Sequence, residues 1–416
     1  MQDRELYATI LGIRPPWRVQ RVEVRAEVEE VEVFVEYGGE QPECAECGSA
    51  APRYDGRRRS WRHLDTCQFK TILTADIPRT KCSNHGIHQV RVPWAEPGGR
   101  FTALFERMAI DWFKEASIAA VARRLRVSWD ELDGIQQRAT ARGLARRKEV
   151  PLKHLGVDET SFRKRHEYVT IVTDVERSRV LEVADGHDEH SLEGFYAGLS
   201  EQQRVGIVSI AMDMWRAYIK TTRDWIPDAE SKIAFDRFHV AKRLNEAVDH
   251  VRKSEHRELR ARGDERLLRT KFLWLMSPER RRSLPAHRRA DFSALRRGSL
   301  KVARAWAIKE TARQLWDYSS RSWAQRAWKN WIGWALRSRL EPMRRAAKMV
   351  RQYLRGILNA VVLRATNATS ESINARVQWL KKTACGLRSR SRFRTAILFH
   401  CGGLDLYPLL QTHSIT

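Results

Sequence analysis

Residues Leu152 to Glu159 read LKHLGVDE, and the reading of this stretch decides the fold. An apolar run with the character of a strand delivers an acidic pair, Asp158 and Glu159, to its end. Two further stretches are built to meet it. Ile207 to Asp213 (IVSIAMD) is a second apolar run ending in a carboxylate, and Thr366 to Leu380 (TNATSESINARVQWL) opens a helix with Glu371 in its first turn. Carboxylates at two strand ends and one helix start converge only by folding. Hard cations such as Mg2+ or Mn2+ take oxygen ligands, and a two-metal cluster stabilises both the attacking and the leaving oxygen of a phosphodiester. The expectation is that Asp158, Asp213 and Glu371 are catalytic and hold Mg2+.

Working outward, Glu167 to Asp174 (EYVTIVTD) and Arg179 to Ala184 (RVLEVA) are two apolar runs joined by a charged turn, as in antiparallel strands. His187 to Leu199 reads as a helix before the run ending at Asp213, and Lys232 to Phe235, with Asp236, precedes a helix through Val251. Strands 1-2-3, helix, strand 4, helix, strand 5 is the order of a ribonuclease-H-like catalytic domain. In that fold the first and fourth strands are neighbours, so Asp158 and Asp213 are expected side by side. Each acid has a plainer alternative: Asp213 as a helix N-cap, Glu371 as a first-turn acid favoured by the helix dipole. Glu371, Asn374 and Gln378 nevertheless share one helix face, opposite Ile373, Val377 and Leu380. A face that polar calls for a polar partner.

Composition limits the partners. Lys+Arg number 76 against 51 Asp+Glu, a formal net charge of +25, which favours a polyanion such as double-stranded DNA. With 416 residues and 42% hydrophobic content the chain has material for several cores. No apolar run reaches the roughly 18 residues of a membrane span, and the first twenty residues lack a signal peptide's apolar core, so a soluble, cytoplasmic protein is expected. No GxxxxGK[ST] occurs, so ATP binding is not indicated.

The N-terminal half reads as three modules. Val19 to Tyr37 alternates apolar and charged residues, the pattern of a β-hairpin with one wet face, in a region covering residues 1–40. Residues 41–96 carry Cys44-Ala45-Glu46-Cys47 and, 35 residues on, Cys82-Ser83-Asn84-His85. Two pairs with two-residue spacing form knuckles that close a tetrahedral zinc site, here structural because all four positions are filled by protein; the alternative is buried cysteines with an incidental histidine. Cys67 reads as core, and His63 as a replacement ligand without a partner at knuckle spacing. Arg57 to Arg59 is taken as a basic loop, open to phosphate contact or plain solvation. From Phe101 the period becomes helical: Phe105, Met108, Ala109, Trp112 and Phe113 form one stripe, Ile118, Val121, Ala122 and Leu125 another. After a break at Val127 to Asp130, Leu132 and Ile135 follow. That layout over 97–149 fits a helix-turn-helix, or any pair of packed helices. The basic stretch favours DNA, with Arg123, Arg124, Arg126, Arg138, Arg142, Arg146 and Arg147 as candidate contacts.

The catalytic domain is expected in two parts, 150–254 and 359–416, around an all-helical insertion at 255–358. The insertion holds seven of the 15 tryptophans: Trp274, Trp306, Trp316, Trp323, Trp328, Trp331 and Trp334. The closest crowding, Trp323, Trp328, Trp331 and Trp334 at three- to five-residue spacing, reads as the buried stripe of a helical bundle, with base stacking as the functional alternative.

GVDETSF, AMDMWRAY, FDRFHVAKRLNEAVD, TNATSESIN and FHCGGLDLYP resemble the DDE transposases of the ISL-three family of bacterial insertion sequences. The CxxC…CxxH knuckles, SWRHLD, VPWAEP and the segment from FTALFE to RGLARR extend the resemblance over nearly the whole chain. One departure is Leu387-Arg388-Ser389-Arg390, where that family has an aromatic-containing segment. The resemblance implies that Asp158, Asp213 and Glu371 are the DDE triad, that Asp236 and His239 are the DxxH pair after the second Asp, and that a helical insertion separates the second Asp from the Glu. It further implies element ends and target DNA as partners, a homodimer or higher synaptic assembly, and metal-dependent strand cleavage and transfer. His239 is left to orient a ligand or the phosphate, or to serve packing alone. Rival readings are a non-catalytic DNA-binding regulator, an inactive relic, or a structure-specific nuclease.

Overall fold

The glutamates that alternate with valine from Val19 to Tyr37 do what half-buried strands require: valines turn in, charges turn out and pair. In the computed structural model, which describes residues 3–163, 167–363, 368–384 and 389–409 without the side chains of Arg163 and residues 368–371, α1 (Asp3–Leu11) leads into β1 (Trp17–Arg25) and β2 (Glu30–Tyr37). These two strands pair antiparallel. Val31, Val33 and Val35 are buried, whereas Arg18 meets Glu36 and Arg25 meets Glu30 and Glu32. The hairpin is not a separate region. It continues into β3 (Arg53–Thr66), β4 (Phe69–Cys82) and β5 (Gly86–Gln89) as one sheet of order β1-β2-β4-β3 with β5 on β4, β2 and β4 running parallel. Its core is Trp17, Val33, Trp61, Leu73, Ile77 and Trp94.

Three expectations are corrected here. Arg57 to Arg59 lies in β3 rather than in a loop, with Arg58 paired to Asp76 and Arg59 donating to the Gly99 carbonyl. Cys67 is exposed rather than core: with Gln68 it forms the two-residue turn between β3 and β4, both at positive φ (48° and 73°), the twist that such tight hairpins favour. His63 is buried against the Thr102 hydroxyl (2.8 Å) and takes no part in the Cys/His cluster.

Helices α2 (Ala103–Glu115), α3 (Ile118–Leu125) and α4 (Trp129–Ala145) follow. Phe105, Ala109, Phe113, Val121, Leu125, Leu132 and Ile135 are buried as the periodicity requires, whereas Met108 and Trp112, expected in the same stripe, are exposed. Ser128 caps α4 in a reciprocal box with Glu131, and Arg126, in the left-handed conformation, ends α3. These elements belong to one compact unit, built on the chain up to Lys148 and rejoined by it from Leu404.

The second unit starts at Glu149. Strands β6 (His154–Arg163), β7 (Glu167–Asp174) and β8 (Arg179–Asp185) form an antiparallel meander; α5 (His190–Ala197) and α6 (Glu201–Gly206) lead to β9 (Ser209–Met212), and α7 (Arg216–Trp225) and α8 (Ala229–Lys232) to β10 (Ile233–Phe235). The sheet order is β10-β9-β6-β7-β8, with β9 parallel to both β6 and β10. The first and fourth strands of this sheet are thus neighbours.

From Arg237 to Val362 the described elements are helical: α9 (Arg237–Arg260), α10 (Lys271–Leu275), α11 (Pro278–Arg282), α12 (Ala286–Arg297), α13 (Lys301–Gln314), α14 (Arg321–Arg337), α15 (Glu341–Gln352) and α16 (Leu354–Val362). Trp274, Trp306, Trp328 and Trp331 are buried in one core with Leu155, Met212, Phe235 and Val240, so these helices share the sheet's core. Trp323 and Trp334 are exposed on α14. Gly356 lets α16 approach the sheet, since a Cβ there would stand 2.4 Å from the Phe235 ring. Finally come α17 (Ala368–Thr383) and α18 (Arg390–Cys401). Residues 364–367 and 385–388, with Thr366, Asn367, Leu387 and Arg388 among them, lie outside the described residues.

Candidate active site and metal centre

Adjacent parallel strands place like positions at like heights. Gly156 of β6 pairs with Ala211 of β9, and two residues further along the two strands stand Asp158 and Asp213. Neighbouring strands are about 4.8 Å apart, so the register brings the two carboxylates to one end of the sheet. The third strand in this row, β10, ends at Asp236, which caps α9 by accepting from the Phe238 amide at 2.9 Å. One turn into that helix, His239 turns both ring nitrogens to acids, Nδ1 3.2 Å from Asp213 Oδ2 and Nε2 3.7 Å from Asp236 Oδ2. Four of the expected site residues therefore meet.

Helix α17 arrives from far along the chain. Asn374 donates to Asp158 Oδ2, Gln378 donates to the Thr160 hydroxyl at 3.1 Å, and the Lys381 ammonium reaches the Ser161 carbonyl. The polar face of that helix has found its partner, which is β6 itself. Glu371 stands in the backbone of α17 one turn before Asn374; its side chain lies outside the described residues.

Electrostatics follow from this crowding. Burial pushes the Asp158 carboxyl up, against the Glu159 amide, Asn374 and His239, which favour its charge; Asp236 adds to the rise. Glu159 is also raised, first by burial and then by Asp158 and Asp213, with His187 and His239 opposing. Burial works against the charge of Asp213 too, but the hydrogen bond and charge of His239 outweigh it and hold this acid below its usual range. His239 is raised: burial disfavours its cation, and Asp213, Asp236 and Asp158 overcome that. Several acids in one half-buried place, each offering oxygen and raised or steadied by a cation, are a donor set suited to a hard divalent metal.

The second cluster is Cys44, Cys47, Cys82 and His85, whose ligand atoms all lie within 4.8 Å of one another. Cys44 Sγ is 3.9 Å and Cys82 Sγ 3.6 Å from His85 Nδ1, and Cys47 Sγ is 3.9 Å from Cys82 Sγ. A tetrahedron with the usual zinc bond lengths has edges of about 3.8 Å between sulfurs and about 3.5 Å between sulfur and nitrogen, so the cluster fits zinc. Gly48 (φ 71°) and Gly86 (φ 76°) follow the two ligand pairs and take the left-handed turns that fold each knuckle back. The Ser49 hydroxyl and amide draw the Cys47 thiol down to about 6, towards the thiolate that binds metal.

Comparison with known proteins gives the family. Residues 155–397 match the family model for the ISL3 group described as "Transposase". The chain belongs to the ISL3 family of transposases. Residues 40–85 of this ISL3 transposase match the zinc-finger of transposases of IS204, IS1001, IS1096 and IS1165, and residues 90–140 the helix-turn-helix domain of the ISL3 family. It is similar to the transposase for insertion sequence element IS1557 of Mycobacterium tuberculosis, 29% identical over 89% of this chain and 88% of the relative. It is also similar to the transposase for IS1001 of Bordetella parapertussis, at 26% identity over 84% and 86%. The chain is a DNA transposase, and the reading as a non-catalytic regulator is not favoured.

Within the transposase's helix-turn-helix, several candidate arginines have partners inside the fold. Arg142, 8% exposed, is held by Glu96 and by Glu106, which also receives Arg138. Arg146 binds Asp405 and the Tyr407 carbonyl, and Arg126 binds Glu29 and Asp65. Arg147 is half-buried. Arg123 and Arg124 are exposed on α3, the latter with its guanidinium 5.5 Å over the Trp112 ring. What composition could not reveal is that residues 404–407 pack on α2 and α4: Lys114 and Arg107 lie over the Tyr407 ring, Arg142 donates to the Leu406 carbonyl, and Gly143 leaves room for Leu404. Asn374 and Glu159 also belong to the carboxylate centre. Only the acidic pair at the end of LKHLGVDE and the polar face of TNATSESINARVQWL pointed to them. No helix among the described residues is long and apolar enough to cross a membrane.

Proposed function

We propose that this transposase binds the ends of its insertion sequence through the zinc and helix-turn-helix modules and cleaves and joins DNA strands at a divalent-metal centre held by Asp158, Asp213 and Glu371. In this reading the five-stranded sheet β10-β9-β6-β7-β8 is ribonuclease-H-like, and residues 255–358 form its helical insertion. The observation that carries it is the register of β6 on β9, which sets Asp158 beside Asp213, with α17 delivered onto Asp158 by Asn374. Glu371 precedes Asn374 by one turn on that helix, and this reading assigns it as the third oxygen ligand. Zinc at Cys44, Cys47, Cys82 and His85 is structural.

When bound, two Mg2+ or Mn2+ ions supply charge for the scissile phosphate and a water, or a 3′-hydroxyl, of lowered pKa. The chain's residues do the rest. Asn374 fixes the Asp158 carboxylate by holding one oxygen, and His239 fixes Asp213 in the same way while Asp236 anchors the far side of the imidazole. The Met214 amide, 2.6 Å from Asp213 Oδ1, takes its remaining freedom. Preset ligands lose little entropy when the substrate arrives. A synaptic dimer or larger assembly follows from the chemistry, because two element ends are processed together.

Ligand exchange tests the assignment. Asp158→Cys and Glu371→Cys are expected to cleave a labelled element end poorly with Mg2+ and to regain activity with the thiophilic Mn2+. Full Mg2+ activity in either variant would remove that residue from the centre.

A further inference from the structure

Seven of the 15 tryptophans are buried, Trp274 and Trp328 completely so. Trp215 is not. It follows Asp213 by two residues, in the turn between β9 and α7, and its side chain is 45% exposed. It is nonetheless held: the indole N–H donates to the His187 carbonyl at 2.7 Å, and its ring stands 5.5 Å from the His187 ring at 33°. His187 in turn meets the Tyr168 ring edge-on at 4.9 Å. The loop under this stack is pinned, because the Gly186 amide donates to the Tyr168 carbonyl at 3.0 Å and the Thr170 hydroxyl donates to the Gly186 carbonyl at 2.9 Å. Gly186 takes φ 83°, a turn that a side chain would strain. An oriented, exposed aromatic surface therefore borders the carboxylates.

We propose that Trp215, backed by His187 and Tyr168, is a stacking platform for one unstacked nucleobase beside the scissile phosphate; the proposal rests on the metal-centre reading above. A phosphodiester inside a regular duplex is flanked by stacked bases, and reaching it with a carboxylate-bound centre requires that the backbone depart locally from helical form. The base freed by that departure has lost its neighbours, and an aromatic face restores part of the stacking without reading sequence. An acidic rim gives a phosphate no welcome there unless a cation is present, whereas a neutral ring receives a base in either case. Because the indole is already fixed by the His187 carbonyl, little freedom is lost on binding.

The test uses the full-length protein and element-end duplexes carrying 2-aminopurine at successive positions around the cleavage point, with Ca2+ so that no turnover is needed. At one position the wild type is expected to quench the probe by stacking, and Trp215→Ala to leave it several-fold brighter. Trp215→Phe and His187→Ala are expected to fall between. In Mg2+, Trp215→Ala is expected to lower the cleavage rate about 10- to 100-fold at saturating DNA, with end binding unchanged and Trp215→Phe recovering most of the loss. Probe fluorescence indifferent to Trp215 at every position overturns the proposal, as does wild-type cleavage by Trp215→Ala or a change confined to oligomeric state. Asp213→Asn separates the two claims. If it is dead while the probe still responds to Trp215, both stand; if it is dead and the probe does not respond, only the platform fails. If Asp213→Asn cleaves normally, the metal-centre reading fails whatever the probe does.

Discussion

His239 sits between two acids with neither ring nitrogen free, and that arrangement suits a positioning residue better than a proton donor. His239→Ala is expected to lower Mg2+-dependent cleavage about 10- to 100-fold with end binding intact, as for other groups that orient a metal ligand. Equal activity in the alanine variant would leave the imidazole a packing role alone. The two arginine classes separate in the same way. Arg138 and Arg142 together neutralise Glu106, whose side chain is 3% exposed, so the double variant Arg138→Ala with Arg142→Ala strands a buried carboxylate and is expected to destabilise the N-terminal unit by about 3–5 kcal/mol in denaturant unfolding. Arg124→Ala, by contrast, is expected to leave stability unchanged and to reduce the salt dependence of DNA binding by about one counterion. The residue scale was legible in part. Asp158, Asp213, Asp236 and His239 stand at element ends where acids are conspicuous, and they do meet. Asn374 was seen only as part of a polar face, because its partner lies 216 residues away and no local pattern carries such a contact.

Elements were read best where one period ran unbroken. The β1–β2 hairpin, the break before α4 and the strand–helix order from β6 to β10 follow from alternation, from Val127 to Asp130, and from apolar runs ending in acids. The long hairpin of β3 and β4 escaped, since the first half of β3 is mostly exposed and charged and its turn, Cys67-Gln68, has no glycine or asparagine to announce it. With that hairpin the zinc cluster acquires its purpose: Cys44 and Cys47 precede β3 while Cys82 and His85 join β4 to β5, so the metal fastens the sheet's far end. Cys82→Ser, or removal of zinc by a chelator, is expected to cost on the order of 10 kcal/mol of metal-linked folding and to release one equivalent of zinc, with loss of β signal and cooperative unfolding of the N-terminal unit. A protein that binds no zinc, or unfolds identically without it, contradicts that role. Gly356 gives an element-scale prediction in the other unit. Gly356→Ala drives a methyl into the buried Phe235 ring and is expected to cost about 1–3 kcal/mol, read as a lower Tm.

At the scale of the whole molecule, a net charge of +25 survives even though many arginines are spent on internal pairs, so the chain as a whole is drawn to DNA more strongly than any one module explains. Charge and composition were legible from the start; the destination of each arginine was not, because pairing is decided by folds that bring Glu96 and Glu106 to α4. The tryptophan-rich insertion shows the same division. Its periodicity marked a buried bundle, and Trp274, Trp306, Trp328 and Trp331 supply it, but nothing local announced that this core would be continuous with the sheet carrying the acids. The most direct measurement is cleavage and joining of a labelled duplex bearing the native element's end in Mg2+, comparing the wild type with Asp213→Asn. The expected result is strand cleavage and transfer by the wild type, none by the variant, and equal binding of the end by both. Binding by both proteins with cleavage by neither, or equal cleavage by both, would contradict a metal-carboxylate centre at Asp213.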